Sequence, residues 1–123
     1  MKKTSASSSS HNQRIGKWGE QTAIDVLVSK GYQVVERNIY TPYGEIDIVA
    51  LKDGFFTFVE VKARTTRTAG NPEDAVNSKK RNHMALAAQA YADSHDITTY
   101  QLDVIAIEGS PNQTPEITHF ENI

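Results

Sequence analysis

The chain contains no cysteine, which excludes disulfides, zinc knuckles and thiol catalysis. It also lacks any run approaching the ~20 apolar residues of a membrane span. The first residues, Met1-Lys2-Lys3, resemble the basic start of a signal peptide. The polar, serine-rich residues that follow, through Asn12, supply no apolar h-region, so a cytoplasmic location and no membrane partner are expected. The four histidines (His11, His83, His95 and His119) are scattered and lack metal-ligand spacing. Gly16 and Gly19 follow no strand and make no phosphate-binding glycine fingerprint. A strong net charge is missing too. The total of −2 argues mildly against a nucleic-acid partner, but its distribution argues the other way. Residues 62–81 hold six basic and two acidic side chains, +4, which leaves −6 for the remainder. A one-sided excess of this kind suits an anionic ligand, although a solvated loop and helix face would read the same.

At 123 residues and 38% hydrophobic content the chain fits one ordinary core. Residues 1–13 have the composition of a disordered tail, which leaves residues 14–123 as a single domain. Apolar spacing predicts a helix over residues 15–30, with Ala23, Ile24, Leu27 and Val28 on one stripe and Gly31 as its stop. Strands are predicted over 32–39, 45–51 and 55–63. Thr41-Pro42-Tyr43-Gly44 turns the chain between the first two, and Asp53-Gly54 between the second two. Asn71 or Ser78 could cap a second helix ending near Ser94, with Met84, Ala87, Ala88 and Tyr91 inward. A strand over 100–107 follows, with an edge strand over 116–120. Apolar residues occupy both faces of the central strands, so helices should cover both sides of the sheet: an α/β fold.

The hairpin register can be derived. If Asp53-Gly54 is a two-residue loop, Lys52 pairs with Phe55, and counting back sets Asp47 opposite Glu60 and Glu45 opposite Lys62. Alternation puts these four on one face and Ile46, Ile48, Val59 and Val61 on the other, as core. Opposed carboxylates lie about 5 Å apart between Cβ atoms and repel. A divalent cation would compensate, and an oxygen-only donor set suits Mg²⁺ or Mn²⁺ better than zinc. Glu20, on the helix stripe, either faces inward as a third carboxylate or turns to solvent. Such an acidic pair beside Lys62 suits phosphodiester hydrolysis, with the lysine handling the water or the phosphate. The plain alternative is a charged edge hairpin with a Glu45–Lys62 ion pair. Arg64 and Arg67 are candidate phosphate contacts. Tyr40 and Tyr43 flank this region, for base stacking or for packing under the loop. Trp18 reads as core or helix-docking surface.

Gly44-Glu45-Ile46-Asp47-Ile48-Val49 and Phe58-Val59-Glu60-Val61-Lys62-Ala63-Arg64, with the earlier Gly16, Gly19 and Glu20, resemble the YraN-like family of predicted bacterial endonucleases. That family looks like part of the PD-(D/E)xK nuclease superfamily. The resemblance runs over residues 16–107. It implies a three-layer restriction endonuclease-like core, αβββαβ, with a mixed sheet. It implies that Asp47, Glu60 and Lys62 stand at the catalytic positions and that Glu20 joins Asp47 and Glu60 around a metal ion. Ala75-Val76 followed by Lys79 and Lys80 is similar to a phosphate-contacting helix start, and Asp103 matches a family aspartate. Gln101 departs from the pattern, standing where an arginine is more usual. The expected function is therefore a Mg²⁺- or Mn²⁺-dependent nuclease acting on DNA or branched nucleic-acid intermediates. The alternative is a non-catalytic nucleic-acid-binding accessory module that keeps the fold. One such domain reaches one phosphodiester, so cutting both strands would call for a homodimer.

Overall fold

The computed structural model describes the backbone of residues 2–65 and 72–123, and side chains from Gln13 onward apart from those of residues 74 and 75. Arg67 and Asn71 lie outside the described residues. The elements are helix α1 (Lys2–Ser29), strands β1 (Gln33–Thr41), β2 (Gly44–Lys52) and β3 (Phe55–Arg64), a 3₁₀ turn (Pro72–Ala75), helix α2 (Ser78–Ser94), and strands β4 (Tyr100–Glu108) and β5 (Glu116–Phe120). The helical backbone of α1 begins well before the apolar stripe and runs through the serine-rich segment where composition suggests a tail. Among the residues whose side chains are described, the first in the apolar core is Ala23.

The sheet order is β1-β2-β3-β4-β5, antiparallel except for the parallel β3–β4 pair. A parallel pair needs a crossover connection, and α2 lies within it. One face of the sheet buries Ile48, Ala50, Val59, Ile105 and Ile107 against Ala23 and Leu27 of α1. The opposite face buries Val49 and Phe58 against Ala87, Ala88, Tyr91 and Ala92 of α2. The three layers are consistent with a restriction endonuclease-like core, and the edge strand expected over 116–120 is present as β5, beyond the αβββαβ order that the resemblance implies.

Three local features position the end of the sheet that carries the sequence candidates. Asp53 and Gly54 both have left-handed φ, 54° and 79°, as a two-residue turn matched to strand twist requires. At Gly19, α1 lies so close to β3 that an added Cβ would meet Ala63 Cβ, and Glu20 is carried inward with it. The N-cap of α2 is Asn77, whose Oδ1 accepts from Lys80 N–H at 2.9 Å, rather than Ser78.

Candidate active site

The register derived from the turn holds for five pairs, from Lys52↔Phe55 to Ile48↔Val59. It then stops, which corrects the expected Asp47–Glu60 and Glu45–Lys62 pairing. From there each strand keeps only its outer neighbour. Glu45 and Ile46 pair with Tyr40 and Ile39 of β1, while Glu60 and Lys62 pair with Val104 and Ala106 of β4. The sheet forks between Asp47 and Val61.

Alternation breaks at the same level. Ile46 buries against the α2 cluster and Ile48 against the α1 cluster, so Ile46 leaves the face assigned to it from the sequence. The neighbouring strand is distorted too. Asn38 lies between the pairs Arg37↔Ile48 and Ile39↔Ile46 and has φ 55°, a conformation asparagine tolerates better than most residues.

Asp47 fills the fork. Its Oδ2 accepts the Val61 N–H at 2.7 Å, a bond the interrupted ladder would otherwise have supplied. Its other oxygen accepts no hydrogen bond from a described residue. Burial pushes the Asp47 carboxyl up to about 6. The Val61 N–H opposes that shift, and the negative charges of Glu60, Glu45 and Glu20 add to it.

Two clefts meet at the fork. One, about 490 Å³, lies on the α2 side and includes Glu60, Lys79, Lys80 and His83 in its walls. The other, about 860 Å³, lies on the α1 side and includes Lys17, Glu20, Arg64 and Thr65. Glu45, Asp47, Val61 and Lys62 line both.

The sequence candidates fall around this fork with different partners. Glu60 Oε2 meets Lys80 Nζ at 2.7 Å, both side chains being largely buried. Lys80, expected at a phosphate, thus engages a carboxylate. Burial would lower the Lys80 ammonium, but its bond to Glu60 outweighs burial and holds it up. Lys80 in turn depresses Lys62, and burial adds to the effect. Glu20 does face inward, yet its Oε1 is taken by Arg37 Nη2 at 2.8 Å and Asn38 Nδ2 at 3.3 Å. Arg64 Nε donates to Glu108 Oε2 at 3.1 Å. Lys79 is exposed on the cleft wall. Arg37, Asn38 and Asn77 were not singled out from the sequence. Arg37 is 17 residues from Glu20, and no local pattern links them.

Asp103 belongs elsewhere. It is fully buried and accepts from Gln101 Nε2, His119 Nε2 and the Asn122 N–H at 3.0, 2.7 and 2.9 Å. It ties β5 and the C-terminal residues to β4 and takes no part in the fork. Trp18 packs against the α1-side cluster.

Among the described residues no group of three His, Asp or Glu side chains is assembled closely enough to hold a metal ion. That does not conflict with a magnesium site. Mg²⁺ keeps several waters and is commonly held by one or two carboxylates plus substrate phosphate. Asp47 and Glu60 are two carboxylates at the fork, and the second Asp47 oxygen accepts no hydrogen bond from a described residue.

The fold and the fork define a three-layer α/β domain with an acid–lysine cleft at one end of its sheet. Residues 19–107 match the Uncharacterised protein family UPF0102, and the chain belongs to that family. A UPF0102 protein of Trichlorobacter lovleyi is 40% identical over 114 residues, covering 90% of each chain. One of Syntrophomonas wolfei is 45% identical over 83 residues, covering 68% of this chain and 72% of its own. A third, from Caldicellulosiruptor bescii, is 38% identical over 107 residues, 83% of this chain and 90% of that one. No helix among the described residues is long and apolar enough to cross a membrane.

Proposed function

We propose that this protein is a divalent-metal-dependent nuclease that hydrolyses phosphodiester bonds in DNA or branched nucleic-acid intermediates. The observation that carries the reading is Asp47. Its carboxylate is buried at the end of a broken ladder, with three acids adding negative charge and two lysines beside it. A charge in that position is costly unless a cation or a proton joins it.

Asp47 and Glu60 would hold Mg²⁺ or Mn²⁺, with Glu20 supporting from the α1-side cleft. A bound ion would supply charge neutralisation at a phosphate oxygen and an acidified water. Lys62 lines both clefts and can donate to the phosphate as negative charge builds. Its lowered pKa also suits it to orient the attacking water or take a proton from it. Lys80 holds Glu60 in place and, when a cation competes for that carboxylate, becomes free to meet phosphate. Lys79 and Arg64 stand where a backbone could be tracked on either side of the fork, with Arg67 following in sequence.

The test is cleavage of single-stranded, flapped and four-way DNA with Mg²⁺ or Mn²⁺, comparing wild type with Lys62→Ala. Nicking by wild type and its loss in the variant are expected. No metal-dependent cleavage of any substrate would overturn the reading. The ion pairs Glu60–Lys80 and Glu20–Arg37 favour a second reading, an accessory module that binds nucleic acid without cutting it. Binding without cleavage across the same panel would establish that instead. Light scattering tests for the homodimer that cutting both strands would need.

A further inference from the structure

The tip of the β1–β2 hairpin is built stiffly although its residues 42–44 are exposed. Thr41 Oγ1 accepts the Tyr43 N–H at 3.1 Å and donates to the Gly44 carbonyl at 2.7 Å. Pro42, between them, has its φ fixed by its ring. This short clamp holds out two tyrosines, Tyr40 at 77% exposure and Tyr43 at 53%. Among the described residues neither ring contacts another aromatic and neither hydroxyl has a hydrogen-bond partner. Packing under the tip would have left them covered. The two rings also belong to different clefts. Tyr43 lines the α2-side cleft with Lys62, Lys79 and Lys80, and Tyr40 the α1-side cleft with Lys17, Lys62 and Arg64. Glu45 and Asp47 are common to both clefts.

We infer that Tyr40 and Tyr43 are stacking platforms for an unpaired polynucleotide strand that crosses the fork, with one base held on each side of the scissile phosphate. This rests on the nuclease reading of the fork and narrows its substrate to strands that are single or locally unpaired at the cut. The chemistry is specific to that state. A paired base inside a duplex already has both faces stacked, whereas an unpaired base can offer a π-face to tyrosine while basic side chains take the adjoining phosphates. Rings preorganised on a clamped turn lose little freedom on binding.

Fluorescence anisotropy of the full chain in EDTA separates binding from cleavage. The probes are labelled oligodeoxythymidine, oligouridine and a DNA duplex of equal length. Tighter binding of a single strand than of the duplex is expected, with the deoxythymidine and uridine arms telling DNA from RNA. Tyr40→Ala and Tyr43→Ala should each weaken single-strand binding about tenfold. Tyr40→Phe and Tyr43→Phe should bind like wild type, because the ring and not the hydroxyl carries the contact. Duplex binding as tight as single-strand binding, or alanine variants that bind like wild type, would overturn the inference. Adding Mn²⁺ to the same oligonucleotides keeps the two ideas apart. Tyrosine-dependent binding without cleavage counts against hydrolysis and for the platforms. Cleavage that ignores the tyrosines does the reverse.

Discussion

The β2–β3 hairpin has two halves that obey different rules. Near the turn, residues 48–52 and 55–59 pair in unbroken register, and Ile48, Val49, Phe58 and Val59 are fully buried or nearly so. Beyond Ile48 and Val59 the same strands part, each keeps only its outer neighbour, and charged side chains fill the gap. Satisfied backbone and apolar burial stabilise the first half. The second half leaves a backbone N–H to be satisfied by a carboxylate and gathers charges that repel. One half holds the fold together and the other gathers the charged cleft, only one residue apart.

Substitutions on the two sides of that boundary should therefore fail in different ways. Lys62→Ala should lower metal-dependent cleavage by at least about a hundredfold while its melting temperature stays near that of wild type. Ile48→Ala should destabilise by about 3–4 kcal/mol in denaturant titration, because a fully buried side chain is removed from a site with little room to relax. If Lys62→Ala instead unfolds the domain and leaves cleavage by the folded fraction intact, the division of labour is wrong.

Asp47 gives the comparison a pH dependence. Its carboxyl is raised from 3.8 to about 6 in the folded chain, so between those values the folded state holds a proton that the unfolded state has released. Without metal, stability should fall as pH rises from about 4 to 6, by up to about 3 kcal/mol at neutral pH. Asp47→Asn keeps an acceptor for the Val61 N–H and removes the charge. It should flatten that pH trend and melt higher than wild type at pH 7 in EDTA. Mg²⁺ or Mn²⁺ should raise the melting temperature of wild type and leave that of Asp47→Asn unchanged. A wild-type chain that is equally stable at pH 4.5 and 7 without metal would remove the electrostatic premise.

What could be read from the sequence divides along the same line. Asp53-Gly54 fixed the turn, the turn fixed five pairs, and the inward set of α2 followed from helical spacing. These are local rules acting on contiguous residues. The end of the ladder was not legible, because it depends on what β1 and β4 offer to Glu45, Ile46, Glu60 and Lys62. The change of side at Ile46 follows from the distortion around Asn38 and Asp47, which alternation alone does not foresee. Glu20 was placed on the buried stripe correctly, but its partners on β1 come from a contact across the fold. Lys80 is expected at phosphate only through the resemblance of its segment to a phosphate-contacting helix start. Its contact with Glu60 depends on α2 docking beside β3.

The smallest effect tests the half that looks settled. Gly54 has φ 79° with open space around it, so Gly54→Ala meets no clash and suffers only the strain of a left-handed backbone. The expected cost is about 1 kcal/mol, with cleavage by the folded protein unchanged, since the turn lies at the far end of the strands from Asp47. Amide exchange should quicken at Lys52 and Phe55 and hardly at all at Val61. If Gly54→Ala also weakened the metal response at Asp47, the two halves would be one coupled unit. The register set at the turn would then reach through the fork, and the broken ladder would be a strained state held by the turn rather than a resting arrangement of its own.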